Sequence, residues 1–256
     1  MQASLIRVAN EVVECSGAII RHYFRKPLDI IHKGDMSPVT IADRETEAAM
    51  RAVINRHFPH HSIIGEEGED TIGSQPYTWT MDPIDGTKSF ITGNPLFGTL
   101  LCLSEENTPM IGIIDIPISK ERWVGMRHEG ATYNGHTCHV SNKTQLSEAQ
   151  LYCTEPDLFT PQQAECFQAL EKHVRLRRFG GDCYSYGLLA SGHIDLVVEA
   201  SLHPYDWMAL IPVIEGAGGI ITDWHGNPLN NNSDGTVIAA ATRELHAQAL
   251  SVFKHS

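Results

Sequence analysis

Residues 79–90, WTMDPIDGTKSF, set Asp82 and Asp85 three apart, fix the backbone between them with Pro83, and follow with Gly86 and Thr87. Pro83 has no N–H for a ladder, so a strand through TWTM is expected to end near Asp82. A short helix is expected to start at Gly86 and Thr87 and to run to about Thr92, where Gly93 stops it. A helix start that faces a cleft offers free N–H groups to an anion. Two carboxylates at the same place would repel that anion unless cations sit between. Hard divalent cations such as Mg²⁺ take carboxylate, carbonyl and water oxygens. Asp82 and Asp85 would hold such a cation, and the Ile84 carbonyl could turn toward it. A phosphate would then bridge the cation and the helix start. The alternative is an ordinary turn, since Asp-Pro and Asp-Gly are both turn formers.

Two further stretches carry acids in suggestive places. IIGEEGE puts Glu66 and Glu67 after a short apolar strand and a glycine, and HPYDWMAL puts Asp206 at the start of a helix. Taken alone, each reads as a cap or a solvated acid, and Asp206 as a first-turn helix acid.

The elements that must position these groups change rhythm along the chain. Residues 4–24 and 40–57 show apolar residues at helical spacing, the second with Thr40 as N-cap and Pro59 beyond its end. After residue 62 the pattern becomes short strands, with Asn134-Gly135 as a hairpin turn. From about residue 150, strands near 150–154, 174–179, 194–199, 219–223 and 236–240 alternate with helices near 161–173, 182–191, 205–217 and 242–253. The fold class is α/β, with α+β character in the first half. The expected division is 1–145, carrying the metal site, and 146–256, carrying the specificity elements, the two packed as one unit.

Composition narrows the function classes. The chain has 256 residues, 42% of them apolar, and a net charge of −12. An acidic balance argues against nucleic acid and anionic membranes as partners, because both attract a basic field. It leaves an anionic substrate open, since bound cations invert the local sign. No apolar run is long enough to span a bilayer. The six cysteines form no C-x-x-C pair, and reduced thiols in a cytoplasmic compartment are expected. HFPHH and HTCH lack the paired ligand spacing of a structural zinc site.

Together GEE, DPIDGT and YDWMALIPVIEGAGGIITDWHG resemble the inositol monophosphatase superfamily of Mg²⁺-dependent phosphatases. The pattern W-x-x-D-P-I-D-G-T is highly specific, and the likeness runs through nearly the whole chain, including KGDMSPVTIADRETE. The resemblance implies a layered α-β-α-β-α sandwich, a homodimer and two to three Mg²⁺ ions per active site. It implies Glu66, Asp82, Asp85 and Asp206 as metal ligands with the Ile84 carbonyl. Thr87 would orient and deprotonate the attacking water with Asp43 as its partner, and Glu66 joins them in the catalytic set. Gly86 and Thr87 would supply phosphate-facing amides, and Glu67 would stand behind the metal ligands. Lys33, in a polar loop with Asp35 and Ser37, would close over the metals. Two metal ions can clamp the attacking and leaving oxygens of an in-line displacement, so no Cys or Ser nucleophile is needed.

The second half must choose the ester. GGDCYSYGLLASGHIDLVVE and PYDWMALIPVIEGAGGIITDW resemble the histidinol-phosphate phosphatase branch of that superfamily. Gly181, Asp182 and Glu199, with Asp85 and Asp206, are the expected substrate contacts. Carboxylates near a metal-held phosphate suit a substrate with a positive end. Histidinol phosphate has an ammonium and an imidazole, and inositol phosphate has neither. The other readings kept open are that Asp182 caps its helix and Glu199 ends a strand. Tyr184, Tyr186 and Trp207 are expected in the core, and Arg177 and Arg178 on a solvated strand edge. An inositol or broader sugar-phosphate phosphatase, and a non-catalytic regulatory relative, are the competing functions.

Overall fold

The computed structural model describes residues 2–27, 31–32 and 38–254; Lys33, Asp35 and Ser37 lie outside them. Helix α1 (Gln2–Tyr23) is followed by two short strands, β1 (Ile31–His32) and β2 (Pro38–Val39), and by α2 (Ile41–His57). Then come β3 (Ser62–Gly65), β4 (Tyr77–Asp85), α3 (Thr87–Ile91), β5 (Gly98–Glu105), β6 (Thr108–Ile116), β7 (Glu121–Met126), β8 (Gly130–Tyr133) and β9 (His136–Thr137). Strands β3 to β9 form one seven-stranded sheet in chain order, antiparallel except for the β3–β4 pair.

The rest of the chain is β10 (Gln150–Cys153), α4 (Pro161–Glu171), β11 (Leu176–Phe179), α5 (Asp182–Ala190), β12 (Leu196–Glu199), α6 (Pro204–Trp207), α7 (Leu210–Gly216), β13 (Ile220–Thr222), β14 (Val237–Ala240) and α8 (Arg243–Lys254). Its five-stranded sheet has the order β11-β10-β12-β14-β13, with β10 parallel to both of its neighbours.

Period-two alternation in the strands explains the layers. Leu101, Leu103, Ile111 and Ile113 turn toward α1 and α2. Leu100, Cys102, Ile114 and Ile116 turn the other way, onto Tyr186 and Leu189 of α5 and Leu210 and Val213 of α7. Those middle helices meet Val197, Val237 and Ala239 of the second sheet, whose opposite face, through Leu196, Val198, Ile238 and Ala240, packs with α4 and α8. The result is the α-β-α-β-α sandwich. Close approach of α7 depends on glycine: a Cβ at Gly112 would stand 2.0 Å from the Ala209 carbonyl oxygen, and one at Gly125 2.2 Å from Pro212.

Two expectations are corrected. Strand β4 runs to Asp85 rather than stopping near Asp82, because its register against β5 shifts between Asp82 and Asp85. No ladder donor is demanded of Pro83 there, and the Ile84 N–H is taken by Asp82 Oδ1 at 2.9 Å. The single helix expected over 205–217 is two, α6 and α7. Pro212 has no N–H to offer the Met208 carbonyl, and its ring crowds that oxygen, so the first turns part there.

Candidate active site

The carboxylates gather where β4 meets α6 and α3. Asp82 is buried, and Asp85 and Asp206 are half-buried. One oxygen from each lies within 4.8 Å of the others. Asp206 is held by its own helix start, where its carboxylate accepts the His203 N–H at 2.7 Å. Burial pushes the Asp82 carboxyl well above the usual carboxylate range, and Glu66, Asp85 and Asp206 push it further. Burial does the same to Asp85, with Asp182 and Asp206 adding to it. Glu66 therefore stands close to Asp82, at the end of β3. Carboxylates crowded out of water repel each other, and a cation among them removes that cost. An all-oxygen donor set fits a hard divalent cation.

Asp43 sits at the third position of α2 and closes a capping box. Its Oδ2 accepts from the Thr40 N–H at 2.8 Å and from the Thr40 hydroxyl at 2.7 Å. Its Oδ1 remains for the Thr87 hydroxyl, 3.4 Å away, and the same hydroxyl lies 3.2 Å from the Ile84 carbonyl. Burial raises the Asp43 carboxyl above its ordinary range against the bonds from Thr40. Gly86 joins β4 to α3 at φ 91°, a left-handed conformation that glycine adopts without strain.

Glu67 is fixed by a residue that the sequence reading missed. Buried Glu47 accepts the Glu67 N–H at 2.7 Å and the Gly68 N–H at 2.9 Å, and pairs with Arg51 at 2.7 Å. The signal was present: Asp43, Thr46 and Glu47 make a polar stripe at helical spacing, continuous with the apolar face of α2.

Beside Asp85 lies a cavity of about 110 Å³, lined among others by Asp182, Glu199, Glu155, Leu158, Phe159 and Leu202. The structure thus brings Asp85, Asp182 and Glu199 to one wall. Gly181 does not line it; Gly181 is the N-cap of α5 at φ 119°, so its contribution is to the turn. Asp182 does not cap α5, because it is the first helical residue, at φ 46°. Its carboxylate accepts from the Ser89 hydroxyl at 3.0 Å, and burial next to Glu199 pushes it up to about 7. Glu199 accepts from the Thr154 N–H at 3.0 Å, from the Thr154 hydroxyl, and from the Tyr186 hydroxyl at 3.1 Å. Thr154, Ser89 and Tyr186 were not read as site residues, and Tyr186 is in the core as expected.

The thiols offer no nucleophile here. Burial pushes Cys102 up to about 12 and Cys183 well above its ordinary value. His61 stacks on Phe58 and Tyr77 and accepts the Trp79 indole N–H at 3.0 Å. Among the described residues, no helix is long and apolar enough to cross a membrane.

A layered α/β sandwich with a carboxylate cluster at the end of a strand and a hydroxyl–carboxylate pair beside it is the frame of a phosphoester hydrolase. The family model for the inositol monophosphatase family matches residues 1–256, and the chain belongs to that family of phosphatases. It is 47% identical, over 95% of its length and 73% of the relative's, to a protein of Arabidopsis thaliana named bifunctional phosphatase IMPL2, chloroplastic. It is 35% identical to a histidinol-phosphatase of Chlorobaculum parvum, over 91% of each chain. A solved inositol monophosphatase from Zymomonas mobilis superposes with a TM-score of 0.90 at 45% identity, covering 98% of each chain.

Proposed function

We propose that this chain is a Mg²⁺-dependent phosphomonoesterase whose main substrate is L-histidinol phosphate. One observation carries the choice of substrate: the cavity next to Asp85 is lined by Asp182 and Glu199, and by Glu155, which pairs with Lys88. An ammonium or a protonated imidazole pairs with such a wall through charge-assisted hydrogen bonds. Leu158, Phe159 and Leu202 give the flat apolar contact that a ring needs. The histidinol-phosphatase relatives support the same reading.

Glu66, Asp82, Asp85 and Asp206, with the Ile84 carbonyl, would hold two to three Mg²⁺ ions, which supply positive charge to the phosphate and make a bound water more acidic. The chain's own residues manage the proton. Water gives its proton to Thr87 Oγ1 as the Thr87 hydroxyl proton passes to Asp43 Oδ1, 3.4 Å away. Burial keeps Asp43 basic enough to receive it. The Gly86 and Thr87 amides at the start of α3 orient the phosphate, while Asp182 and Glu199 seat the organic end. The division of labour is then residues 1–145 for the metals and 146–256 for the choice of ester.

A second reading has its own support. Glu199 already accepts from Thr154 and Tyr186, and a carboxylate so placed also accepts from a neutral hydroxyl. Inositol 1-phosphate would then be a slower substrate, in keeping with the word bifunctional in the Arabidopsis relative's name. The exposed edge strand β11, with Leu176 and Phe179 in solvent, supports a homodimer, which sedimentation would test. Six free cysteines are in keeping with a reducing, cytoplasm-like compartment.

The test is Mg²⁺-dependent phosphate release from L-histidinol phosphate beside inositol 1-phosphate, with Asp82→Asn and Glu199→Gln as controls. A preference of about 100-fold in kcat/KM, or about 2.7 kcal/mol, supports the reading. Glu199→Gln should shrink that preference, and Asp82→Asn should abolish turnover of both. Equal or better turnover of inositol phosphate refutes the substrate assignment and leaves the reaction class standing.

A further inference from the structure

Thr154 follows the last residue of β10 and reaches both acids of the cavity wall. Its main-chain N–H donates to Glu199 Oε1 at 3.0 Å, and its hydroxyl bonds the same oxygen. The Asp182 N–H donates to Thr154 Oγ1 at 3.1 Å. The hydroxyl accepts from Asp182 and donates its single proton to Glu199 Oε1. Among the described residues, Oε1 takes two donors and Oε2 takes the Tyr186 hydroxyl, at 3.1 Å, which leaves an acceptor site on Oε2.

The second observation is backbone strain. Gly180, Gly181 and Asp182 have φ of 80°, 119° and 46° in succession. Asp182 is the only one of the three with a side chain, and a non-glycine residue stays in the left-handed region only where its surroundings hold it. The Thr154 hydroxyl supplies such a hold through the Asp182 N–H, and Ser89 supplies another at the carboxylate, at 3.0 Å. Ser89 lies on α3 and Thr154 at the end of β10, so the Asp182 turn is fixed from both halves of the chain.

We infer that Thr154 is a positioning residue for substrate discrimination: its one hydroxyl sets Glu199 and Asp182 as a fixed pair of carboxylates, with Glu199 Oε2 turned to the cation of the organic half. The inference rests on the reading of the substrate as cationic. A valine at 154 keeps the shape, removes the hydroxyl, frees the Asp182 N–H and takes one donor from Glu199. Thr154 itself bonds none of the proposed metal ligands; the nearest link is the Cys183 N–H, one residue past Asp182, which donates to Asp85 Oδ2 at 2.5 Å.

The experiment compares wild type, Thr154→Val and Thr154→Ser for L-histidinol phosphate and inositol 1-phosphate at saturating Mg²⁺, with KM and kcat separated. Thr154→Val is expected to raise KM for L-histidinol phosphate about tenfold or more with kcat changed by less than about threefold. KM for inositol 1-phosphate, which brings no cation to Glu199, should rise at least threefold less than KM for L-histidinol phosphate, and Thr154→Ser should restore the preference. If Thr154→Val is insoluble, Thr154→Cys, with its weak donor, takes its place in the same comparison. Equal losses on both substrates, or no loss on either, overturn the inference. A wild type without preference for L-histidinol phosphate overturns the substrate reading itself. A wild-type preference that survives in Thr154→Val overturns only the role of Thr154.

Discussion

The Thr99 hydroxyl donates to the Pro83 carbonyl at 2.8 Å, in the middle of the strand shift that separates Asp82 from Asp85. The Ser16 hydroxyl lies 2.5 Å from Thr99 Oγ1 and, with the Thr99 proton committed, is the donor. Both side chains are fully buried. A chain of two hydroxyls thus runs from α1 through β5 to the irregular backbone that presents both aspartates. Thr99→Val leaves the Pro83 carbonyl and the Ser16 hydroxyl without partners, each a buried polar group. The variant should lose about 1–3 kcal/mol of stability. It should also bind Mg²⁺ more weakly, whereas Thr99→Ser should recover both. Urea unfolding and a Mg²⁺ titration of each variant check it, and unchanged Mg²⁺ affinity in Thr99→Val would sink the positioning role.

Buried carboxylates around Asp82 should make the metal-free protein self-repelling. Its carboxyl is pushed up by burial and by Glu66, Asp85 and Asp206. Asp82→Asn removes one of these charges without changing the shape. The metal-free variant is expected to melt higher than metal-free wild type at neutral pH, while having no phosphatase activity. Mg²⁺ at about 100 times its Kd should stabilise wild type by about 2.7 kcal/mol and the variant far less. Melting curves with and without Mg²⁺ give both numbers. An Asp82→Asn protein that gains as much from Mg²⁺ as wild type does would remove Asp82 from the ligand set.

Much of the layered fold was legible, because helical and period-two spacing report which faces are buried. The pairing of Asp82 and Asp85 was also within reach, since an aspartate pair across a proline is unusual and local, whereas Asp206 read alone as a first-turn helix acid and joined them only through the family resemblance. What escaped has a common physical character. Thr99 reaches Pro83, Thr154 reaches Glu199, and Ser89 reaches Asp182 through hydroxyls of ordinary type. Nothing in a threonine's neighbours along the chain says that it will meet a carboxylate 45 residues away. Glu47 is the intermediate case, betrayed by its place on the buried stripe of α2. The split between α6 and α7 was missed because apolar spacing persists through Met208 and Ala209, whereas Pro212 acts on a carbonyl four residues back.

Acid should weaken the fold through two buried histidines. His61 Nδ1 accepts the Trp79 indole N–H at 3.0 Å, so that nitrogen has to be bare. His246 Nε2 lies 2.7 Å from Thr222 Oγ1, whose proton goes to the Asp223 carbonyl at 2.7 Å, so His246 is the donor there. Burial lowers both imidazoles below their ordinary value near 6.5. The unfolded chain therefore binds more protons than the folded one just below pH 6.5. Stability is full above that pH and falls as pH drops toward the folded values, by up to about 1.4 kcal/mol per pH unit for each histidine. Asp182, pushed up to about 7, works in the opposite sense, losing stability as pH rises. The histidine contribution is therefore taken as the difference between wild type and His246→Gln. Urea midpoints at pH 7.5 and 5.5 should show a smaller acid loss in His246→Gln. An equal loss would mean that His246 does not stay neutral in the fold.

Gly86, between β4 and α3, faces Asp182 at the start of α5. A Cβ built on it would stand 2.8 Å from the Asp182 carboxyl carbon and oxygen, and its φ of 91° is a left-handed conformation. Gly86→Ala therefore carries two separate costs. The backbone term is about 1–2 kcal/mol for an L-residue in that region. The steric term pushes Asp182 away from the Ser89 hydroxyl, now 3.0 Å off, and out of the cavity wall. Turnover should fall by at least tenfold, more steeply than stability, because the amide proposed to face the phosphate and the acid proposed to face the organic end move together. The double variant Gly86→Ala with Asp182→Ala separates the two costs. It should recover the steric part of the stability loss, leave the backbone part, and recover no preference for L-histidinol phosphate. Chemical unfolding of the four proteins in this cycle measures the coupling, and strictly additive losses would show that Gly86 and Asp182 do not meet as described.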